Sequence, residues 1–429
     1  MPQTTPISRD PLAWCALVAV SFWGLSLIRI GIPTQPYFDE VHYLPAAREY
    51  LALGKFTNRE HPLLGKELIA LGMQLFGDKP LGWRIFPTVA GAITLFSGMR
   101  AMWFATQSRF ASLAYGVLLA TGFYIFVNAR IAMLDIFMVC FVTLAYWQLA
   151  AAVREPEHGR VRLAAAGVAL GLALASKWNA APLAILPGIA FLVLRARAGR
   201  RRLLFSRRGA PVPGVSLVEA AIWLGVLPLA VYTLTYMPAW FFAEGAIGSA
   251  SGSANFLALH TDAIRLQESV IKSHPYMSRW PQWVLNARSI WFLYEPIDGA
   301  QRGIVLIGNP LTMLLGLPAL LWVASEAVLR RSGAAAAIAV LYIVTLGFWI
   351  VSAKPVQFLY HYFLPSMALL AALALALEAL WRQQRRWMAL VPLVGSVALF
   401  AYFYPILSAA PLSGGKMAFT QWMWLPRWR

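Results

Sequence analysis

Long runs of apolar residues recur along this chain from near its first residue to near its last. A transmembrane helix needs about 20 consecutive, mainly apolar residues. The candidate stretches, which approach or reach this length, are residues 12–30, 85–105, 109–127, 131–152, 161–176, 179–195, 217–238, 303–325, 334–352, 362–380 and 388–407. Because hydrophobic residues make up 59% of the 429 positions and charged residues only 13%, the sequence predicts an all-α polytopic membrane protein with about eleven transmembrane helices and excludes a soluble fold.

The net charge is +18. The positions of the basic residues indicate whether this charge orients the chain in a membrane or binds nucleic acid. If the N-terminus is cytoplasmic, the inner loops and span ends hold 18 of the 36 Lys and Arg residues. These are Arg9, Arg100, Arg109, Arg154, Arg160, Arg162, Arg195, Arg197, Arg200, Arg201, Arg202, Arg207, Arg208, Arg330, Arg331, Arg382, Arg385 and Arg386. The two long outer loops, residues 31–84 and 241–302, instead carry equal numbers of basic and acidic residues. This distribution predicts that both long loops and the C-terminus are external, and that the excess charge meets anionic lipid headgroups rather than nucleic acid.

The first outer loop contains the most polar stretch near the start of the chain. Asp39 and Glu40 directly follow the first apolar stretch, and His61 and Lys66 come after a loop. Ionisable groups at the membrane boundary are costly, so they usually carry function. We therefore expect the chemistry in this loop.

Two short helices are expected within the same loop. In the first, one helical face contains Glu40, Tyr43, Leu44, Ala47 and Leu51. The second begins after Pro62, repeats leucine at positions 64, 68, 71 and 75, and ends near Gly77. Packed on the outer face, the two helices would bring His61 and Lys66 close to Asp39 and Glu40 and form one wall of a cleft at the lipid boundary.

Other polar residues are expected at the same outer side. Arg130 and Asp135 open the fourth apolar stretch and should not face lipid, so they either form an ion pair that locks two helices or bind substrate. For Arg130 the substrate group would be a phosphate, which a guanidinium binds through two parallel hydrogen bonds. Lys177 either extends its ammonium to the lipid headgroups or supplies a second cation for that phosphate. His361 would reach the cleft from the opposite wall.

Six motifs in this order resemble protein O-mannosyltransferases. They are Asp39-Glu40-Val-His-Tyr, His61-Pro-Leu-Leu-Gly-Lys66, Arg130 to Asp135, Ser176-Lys177-Trp178, Gly308-Asn309-Pro310 and His361-Tyr-Phe-Leu-Pro365. The resemblance spans nearly the whole chain. It implies an integral-membrane glycosyltransferase of the GT-C type that transfers a sugar, expected to be mannose, with inversion from a polyprenyl-phosphate donor.

The chain departs from the family pattern at two places. Leu63 replaces the second proline after His61-Pro62, and the outer loop 241–302 is too short for the β-trefoil module of eukaryotic members. We therefore expect a bacterial-type member with a single domain, 1–429, in the plasma (inner) membrane, with its active site on the external or periplasmic side. The expected acceptor is a Ser or Thr hydroxyl of a secreted polypeptide. Lipid A or another envelope glycan remains an alternative acceptor, and a lipid-linked sugar transporter is an alternative of a different class.

Inverting transfer requires a base for the acceptor proton and stabilisation of the leaving phosphate. By resemblance, Asp39 is the catalytic carboxylate, and Glu40 would orient the acceptor or tune the proton affinity of Asp39. Arg130 and Lys177 are the predicted donor-phosphate ligands. The remaining predicted substrate-binding residues are His61, Lys66, Asp135 and His361.

A divalent metal is the alternative use of the polar residues in the first outer loop. Asp39, Glu40, His42 and His61 are ligand types that a metal accepts. There is, however, no Asp-x-Asp spacing, and a phosphate held by cations needs no metal. No required cofactor is therefore expected.

Overall fold

The computed structural model describes residues 9–198, 202–269, 271–272, 274–352 and 354–428. Arg200 and Arg201 of the predicted inner loops, and the C-terminal residue Arg429, lie outside these residues.

Helices account for the first half of the chain. They are α1 (Leu12–Leu27), α2 (Glu40–Ala52), α3 (Leu64–Phe76), α4 (Pro80–Thr106), α5 (Arg109–Thr121), α6 (Tyr124–Asn128), α7 (Leu134–Arg154), α8 (Gly159–Ser176) and α9 (Ala181–Arg197).

The second half adds more helices and one β-hairpin. Its elements are α10 (Leu217–Ala221), α11 (Leu227–Thr235), α12 (Phe256–Glu268), α13 (Trp280–Val284), β1 (Ile290–Ile297), β2 (Ala300–Leu306), α14 (Pro310–Leu329), α15 (Gly333–Val351), α16 (Phe363–Arg382) and α17 (Arg386–Leu407). A π-helical stretch, Ile222–Val226, joins α10 to α11.

Within the described residues, nine helical segments are long and apolar enough to cross a membrane. They coincide with nine of the eleven predicted stretches. The other two, 12–30 and 109–127, correspond to the shorter apolar helices Leu12–Leu27 and Arg109–Thr121. The all-α polytopic fold is confirmed, and the count of eleven stays a prediction.

The predicted helix 303–325 is wrong at its start. Residues up to Leu306 belong to strand β2, and α14 begins only at Pro310. Two local features determine this boundary. Proline is favoured in the first helical turn, and the Asn309 side chain accepts a hydrogen bond from the Leu311 N–H at 3.2 Å, which caps the helix.

The hairpin is an element that the sequence analysis did not predict. Its strands pair antiparallel from Ile290 opposite Leu306 to Ile297 opposite Ala300. The turn between them is Asp298-Gly299, and both residues have positive φ, 49° and 74°. This geometry suits the twist of a two-residue hairpin loop.

The two helices predicted in the first outer loop are present as α2 and α3. On α2 the residues of the predicted face are buried except Leu51, which is exposed, while the neighbouring Tyr50 is buried. On α3 the leucine row faces outward, since Leu71 and Leu75 are exposed and the opposite side of the helix is buried. An outward apolar row fits a helix that lies along a lipid boundary.

The loops predicted to be external meet at one end of the bundle. The Arg84 guanidinium at the start of α4 donates to the Ile30 carbonyl just after α1. At the same end, Arg130 lies between the end of α1 and Ser408, which follows α17. The start of α7 is joined to the end of α8 by an ion pair between Asp135 and Lys177. The predicted site residues therefore share this end of the molecule.

Candidate active site

Asp39 stands immediately before α2 with its carboxylate unengaged. No hydrogen bond to either carboxylate oxygen comes from the described residues, and the side chain is partly exposed. Removal from bulk water raises the pKa of Asp39 to about 6, although the nearby Lys177 ammonium acts in the opposite direction. A carboxylate with this pKa is ionised at neutral pH and accepts a proton readily.

The residue before Asp39 has a strained backbone. Phe38 has φ of 50°, a left-handed conformation that non-glycine residues rarely adopt and that costs about 1–3 kcal/mol. Its ring stacks on Phe292 of β1, with ring centroids 4.1 Å apart, and meets the edge of Tyr360 at 6.3 Å. The hairpin and the segment just before α16 therefore both support the position from which Asp39 projects.

Glu40, predicted to share the catalytic work, is fully buried in an ion pair. Its two oxygens accept from the Arg84 guanidinium, each at 2.8 Å. They also accept the backbone N–H groups of Ala132 at 2.9 Å and Tyr37 at 3.3 Å. With both oxygens occupied, Glu40 is placed to fix the start of α2 and thereby the position of Asp39.

Asp135 pairs with Lys177 rather than with Arg130, which corrects one of the alternatives derived from the sequence. The Lys177 ammonium lies 2.7 Å from an Asp135 carboxylate oxygen, and both side chains are almost fully buried. The same ammonium is 5.3 Å from the centre of the Tyr360 ring. Because the charges of Lys177 and Asp135 both act on Asp39, the pair lies near it. The region around Asp39, Asp135 and Lys177 is called the Asp39 cleft below.

Arg130 is not brought into this cleft. Its guanidinium donates to the carbonyls of Ser26 at 2.6 Å and Ile28 at 2.7 Å, with longer bonds to Arg29 and Ser408. The side chain is 5% exposed. Four of its five N–H donors are therefore used by the backbone at the ends of α1 and α17.

His61 and Lys66 lie on the α3 side of the cleft. The His61 ring packs edge-on against Tyr43, and its burial and the nearby lysines hold its pKa well below the ordinary value, so the ring is neutral at pH 7. The Lys66 ammonium donates to the carbonyls of Asn58 and His61, at 2.5 and 2.9 Å. Burial lowers the pKa of Lys66 to about 7. Lys66 thus holds the 58–61 loop in place.

His361 lies between α15 and α16, where its ring is buried against tryptophans. Its Nδ1 accepts the Phe358 N–H at 3.0 Å, so the other ring nitrogen carries the hydrogen. That nitrogen is buried and makes no hydrogen bond within the described chain. The ring stacks on Trp349, with centroids 3.8 Å apart.

Lys354 is a cleft residue that the sequence analysis did not assign. Burial lowers its pKa to about 8, and the charges of Lys177, Asp135 and Asp39 act on it as well. The sequence did contain a signal for Lys354. It is a lysine followed by proline, between two apolar stretches, on the predicted outer side of the membrane. Arg84, the partner of Glu40, was also missed, because its position at the start of a span resembles that of a residue facing lipid headgroups.

An apolar cavity of about 170 Å³ runs between the spanning helices. Leu183 and Leu364 line it near the starts of α9 and α16, close to the polar cleft. Tyr146 lies along its length, and Ala334 and Ala337 line it at the start of α15, which is at the far end of the bundle. Such a cavity is shaped for a chain of apolar groups.

Across the residues that the structure describes, no three His, Cys, Asp or Glu side chains gather as a potential metal site. That the chemistry requires no metal stays a prediction.

The sequence of this chain matches models of a known protein family along most of its length. Two family models described as dolichyl-phosphate-mannose-protein mannosyltransferase match residues 16–84 and 60–234. A third, described as the C-terminal four TMM region of protein-O-mannosyltransferase, matches residues 253–428. The chain belongs to the protein O-mannosyltransferase family.

Curated relatives match along their lengths. The polyprenol-phosphate-mannose–protein mannosyltransferase of Mycolicibacterium smegmatis is 29% identical, with 100% of this chain and 95% of the relative covered. The protein of the same name from Mycobacterium tuberculosis is 28% identical, with 92% of this chain and 87% of the relative covered.

Solved structures share the fold. The S. cerevisiae protein O-mannosyltransferase Pmt1–Pmt2 complex bound to the sugar donor has a TM-score of 0.82 at 14% identity, covering 99% of this chain and 93% of that chain. ArnT from Cupriavidus metallidurans bound to undecaprenyl phosphate has a TM-score of 0.54 at 18% identity, covering 89% and 63%. This protein O-mannosyltransferase family member is therefore a membrane glycosyltransferase with the GT-C fold, which removes the alternative of a lipid-linked sugar transporter.

Proposed function

We propose that this protein transfers mannose with inversion from a polyprenyl-phosphate donor to Ser or Thr hydroxyls of secreted polypeptides, at the external face of a bacterial plasma membrane. The names of the curated relatives support the donor and the protein acceptor. The observation that carries the proposal is the unengaged Asp39 carboxylate in the same cleft as the buried Lys177 ammonium.

Asp39 acts as the base. The acceptor hydroxyl gives its proton to the carboxylate while its oxygen forms a bond to the anomeric carbon of the sugar. On the opposite face of that carbon, the bond to the phosphate oxygen breaks, and the electron pair leaves with the phosphate. The configuration at the anomeric carbon is therefore inverted, and polyprenyl phosphate is the second product.

Lys177 stabilises the negative charge that grows on the leaving phosphate. Asp135 accepts one N–H of the ammonium at 2.7 Å, which fixes the orientation of the lysine and leaves its other two N–H donors for the phosphate. Both side chains of the pair are almost fully buried, so the phosphate would meet the ammonium in a site of low polarity.

The apolar cavity supports a lipid-linked donor. Its outer end, at Leu183 and Leu364, lies near the starts of α9 and α16, which directly follow Lys177 and Tyr360 in the chain. A donor whose phosphate is held at Lys177 would therefore have an apolar path for part of its polyprenyl chain between the helices. Each buried methylene contributes about 0.8 kcal/mol.

The proposal is tested with purified protein in lipid and a polyprenyl-phosphate donor that carries labelled mannose. Three acceptors are compared: a Ser/Thr-containing peptide, the same peptide with alanine at those positions, and a lipid A preparation. We expect label only on the Ser/Thr peptide, with an anomeric configuration opposite to that of the donor. Retained configuration would contradict the mechanism, and label only on the glycolipid would contradict the acceptor.

A further inference from the structure

We propose that Lys354 binds the phosphate of the lipid-linked donor and holds the departing polyprenyl phosphate once the sugar has been transferred. The inference rests on the proposed function and deepens it, because it identifies a second binding group for the leaving phosphate. It replaces Arg130, whose guanidinium is used by backbone carbonyls.

Hydrogen bonds on both sides of Lys354 hold it between α15 and α16. The Lys354 N–H donates to the Ser352 hydroxyl at 3.3 Å. The Gln357 side-chain amide donates to the carbonyls of Lys354 and Trp349 at 3.4 and 3.3 Å. The position of the lysine is therefore set by hydrogen bonds on both sides.

The same segment packs against the two groups that the mechanism uses. Six residues after Lys354, the Tyr360 ring contacts the Lys177 ammonium at 5.3 Å and the ring of Phe38, the neighbour of Asp39, at 6.3 Å. The positive charge of Lys354 acts on Asp39 and on Lys177. Together with the Tyr360 contacts, this places Lys354 near both the base and the first phosphate-binding cation.

The distribution of partners sets Lys354 apart from the other cations at this end of the molecule. Lys177 is paired with Asp135, and Lys66 and Arg130 donate to backbone carbonyls. Throughout the described ranges, in contrast, no carboxylate lies within 4.0 Å of the Lys354 ammonium, and no hydrogen bond from it is present. All of its N–H donors are therefore free for a ligand.

The reaction itself creates a need for this free cation. The donor phosphate is a diester with one negative charge, and the leaving polyprenyl phosphate is a monoester whose second ionisation has a pKa of about 6. The charge on the phosphate therefore grows as the bond to the sugar breaks. Lys177 alone is neutralised by Asp135, so a second ammonium is required to balance the product.

The test measures binding of polyprenyl phosphate without a sugar, using the full chain in lipid nanodiscs. The variants are Lys354→Gln, Lys354→Arg and, as a matched control, Lys272→Gln on the exposed surface of an outer loop. For Lys354→Gln the dissociation constant should rise roughly ten- to a hundredfold, as expected when a charged hydrogen bond is lost. The arginine variant should restore most of the affinity, and the control should match the wild type. An unchanged constant in a Lys354→Gln protein that melts normally would overturn the proposal.

A second set of binding measurements distinguishes a site for the donor phosphate from a general site for lipid headgroups. Phosphatidic acid carries the same monoester group, so its binding is measured in the same nanodiscs. Lys354→Gln should leave phosphatidic acid binding unchanged. Equal weakening for both lipids would indicate a general headgroup contact and overturn the specific role.

A pH series provides a readout that a merely structural lysine would not move, and it does not depend on the folding of the glutamine variant. Because the pKa of Lys354 is about 8, wild-type affinity for polyprenyl phosphate should fall between about pH 7 and about pH 9, where the lysine loses its proton. An arginine at this position stays charged over that range, so Lys354→Arg should remove the fall. The other ionisable groups in this region are Asp39, His42, His61, Lys66, Asp135, Lys177 and His361. The same fall in Lys354→Arg would assign the pH dependence to one of them and overturn the proposal.

These outcomes are independent of sugar transfer. If the wild-type protein binds polyprenyl phosphate through Lys354 but transfers no mannose to any acceptor, the proposed function fails and this inference stands. If mannose is transferred and the Lys354 variants bind polyprenyl phosphate as the wild type does, the function stands and this inference fails.

Discussion

The protonation of Asp39 sets the pH dependence of the proposed reaction. A base must be deprotonated to accept the hydroxyl proton, and the pKa of Asp39 is raised to about 6 by its removal from water. We therefore expect the kcat/KM of transfer to be level near pH 7 and to fall about tenfold per pH unit below about pH 6. Initial rates at low donor concentration measure this profile, and a level profile down to about pH 5 would contradict the assignment.

Arg130 is expected to matter for stability rather than for donor binding. Its guanidinium joins the ends of α1 and α17 through carbonyls that would lose their partner in Arg130→Ala. Loss of hydrogen bonds to a charged group should cost at least about 1.5–3 kcal/mol. A thermal melt should show the lower stability, while the folded fraction keeps its affinity for polyprenyl phosphate. Weakened phosphate binding at normal stability would instead support the phosphate role predicted from the sequence.

At the scale of elements, the ion pair between Glu40 and Arg84 fixes the start of α2. Removing one partner of a buried ion pair leaves an uncompensated charge and costs about 3–5 kcal/mol. Glu40→Ala should therefore reduce the yield of folded protein. The double variant Glu40→Ala/Arg84→Met, which removes both charges, should recover part of that yield. If Glu40→Ala instead folds normally and only transfer is lost, Glu40 has a direct catalytic role.

The elements that were predictable from sequence are those with a strong local signal. The apolar stretches, Pro62 before α3 and Gly77 after it all mark helices that are present. The β-hairpin also had a signal, the Asp298-Gly299 turn between runs rich in β-branched and aromatic residues. It was missed because the stretch that contains Trp280, Trp283 and Trp291 is also typical of an interfacial aromatic belt.

Side-chain partners were less predictable than elements. That Asp39, Lys177 and Asp135 would lie at one end followed from the predicted topology. The choice of Lys177 over Arg130 as the partner of Asp135 depends on how α7 packs against α8, across 42 positions of the chain. Periodicity within one helix contains no information about that choice. Lys354 was unassigned for the same reason.

At the scale of the whole molecule, the charge distribution predicts the orientation in the membrane. The N-terminus and the arginine-rich loop 195–208 should be cytoplasmic, and the C-terminus should be external with the Asp39 cleft. Reporter fusions after residue 429 and within the 195–208 loop should therefore report opposite sides. Activity on the same side for both fusions would contradict the arrangement of eleven spans.

The most direct test of the central claim, that Asp39 is the base of a glycosyl transfer, is the transfer rate of purified Asp39→Asn in lipid. Asparagine keeps the size of the side chain but cannot accept the proton, so the rate should fall at least about a hundredfold. Donor affinity should not weaken, because Lys177 is untouched and a negative charge near the phosphate is removed. A thermal melt serves as the control for folding. A well-folded Asp39→Asn protein that transfers mannose at the wild-type rate would contradict this mechanism.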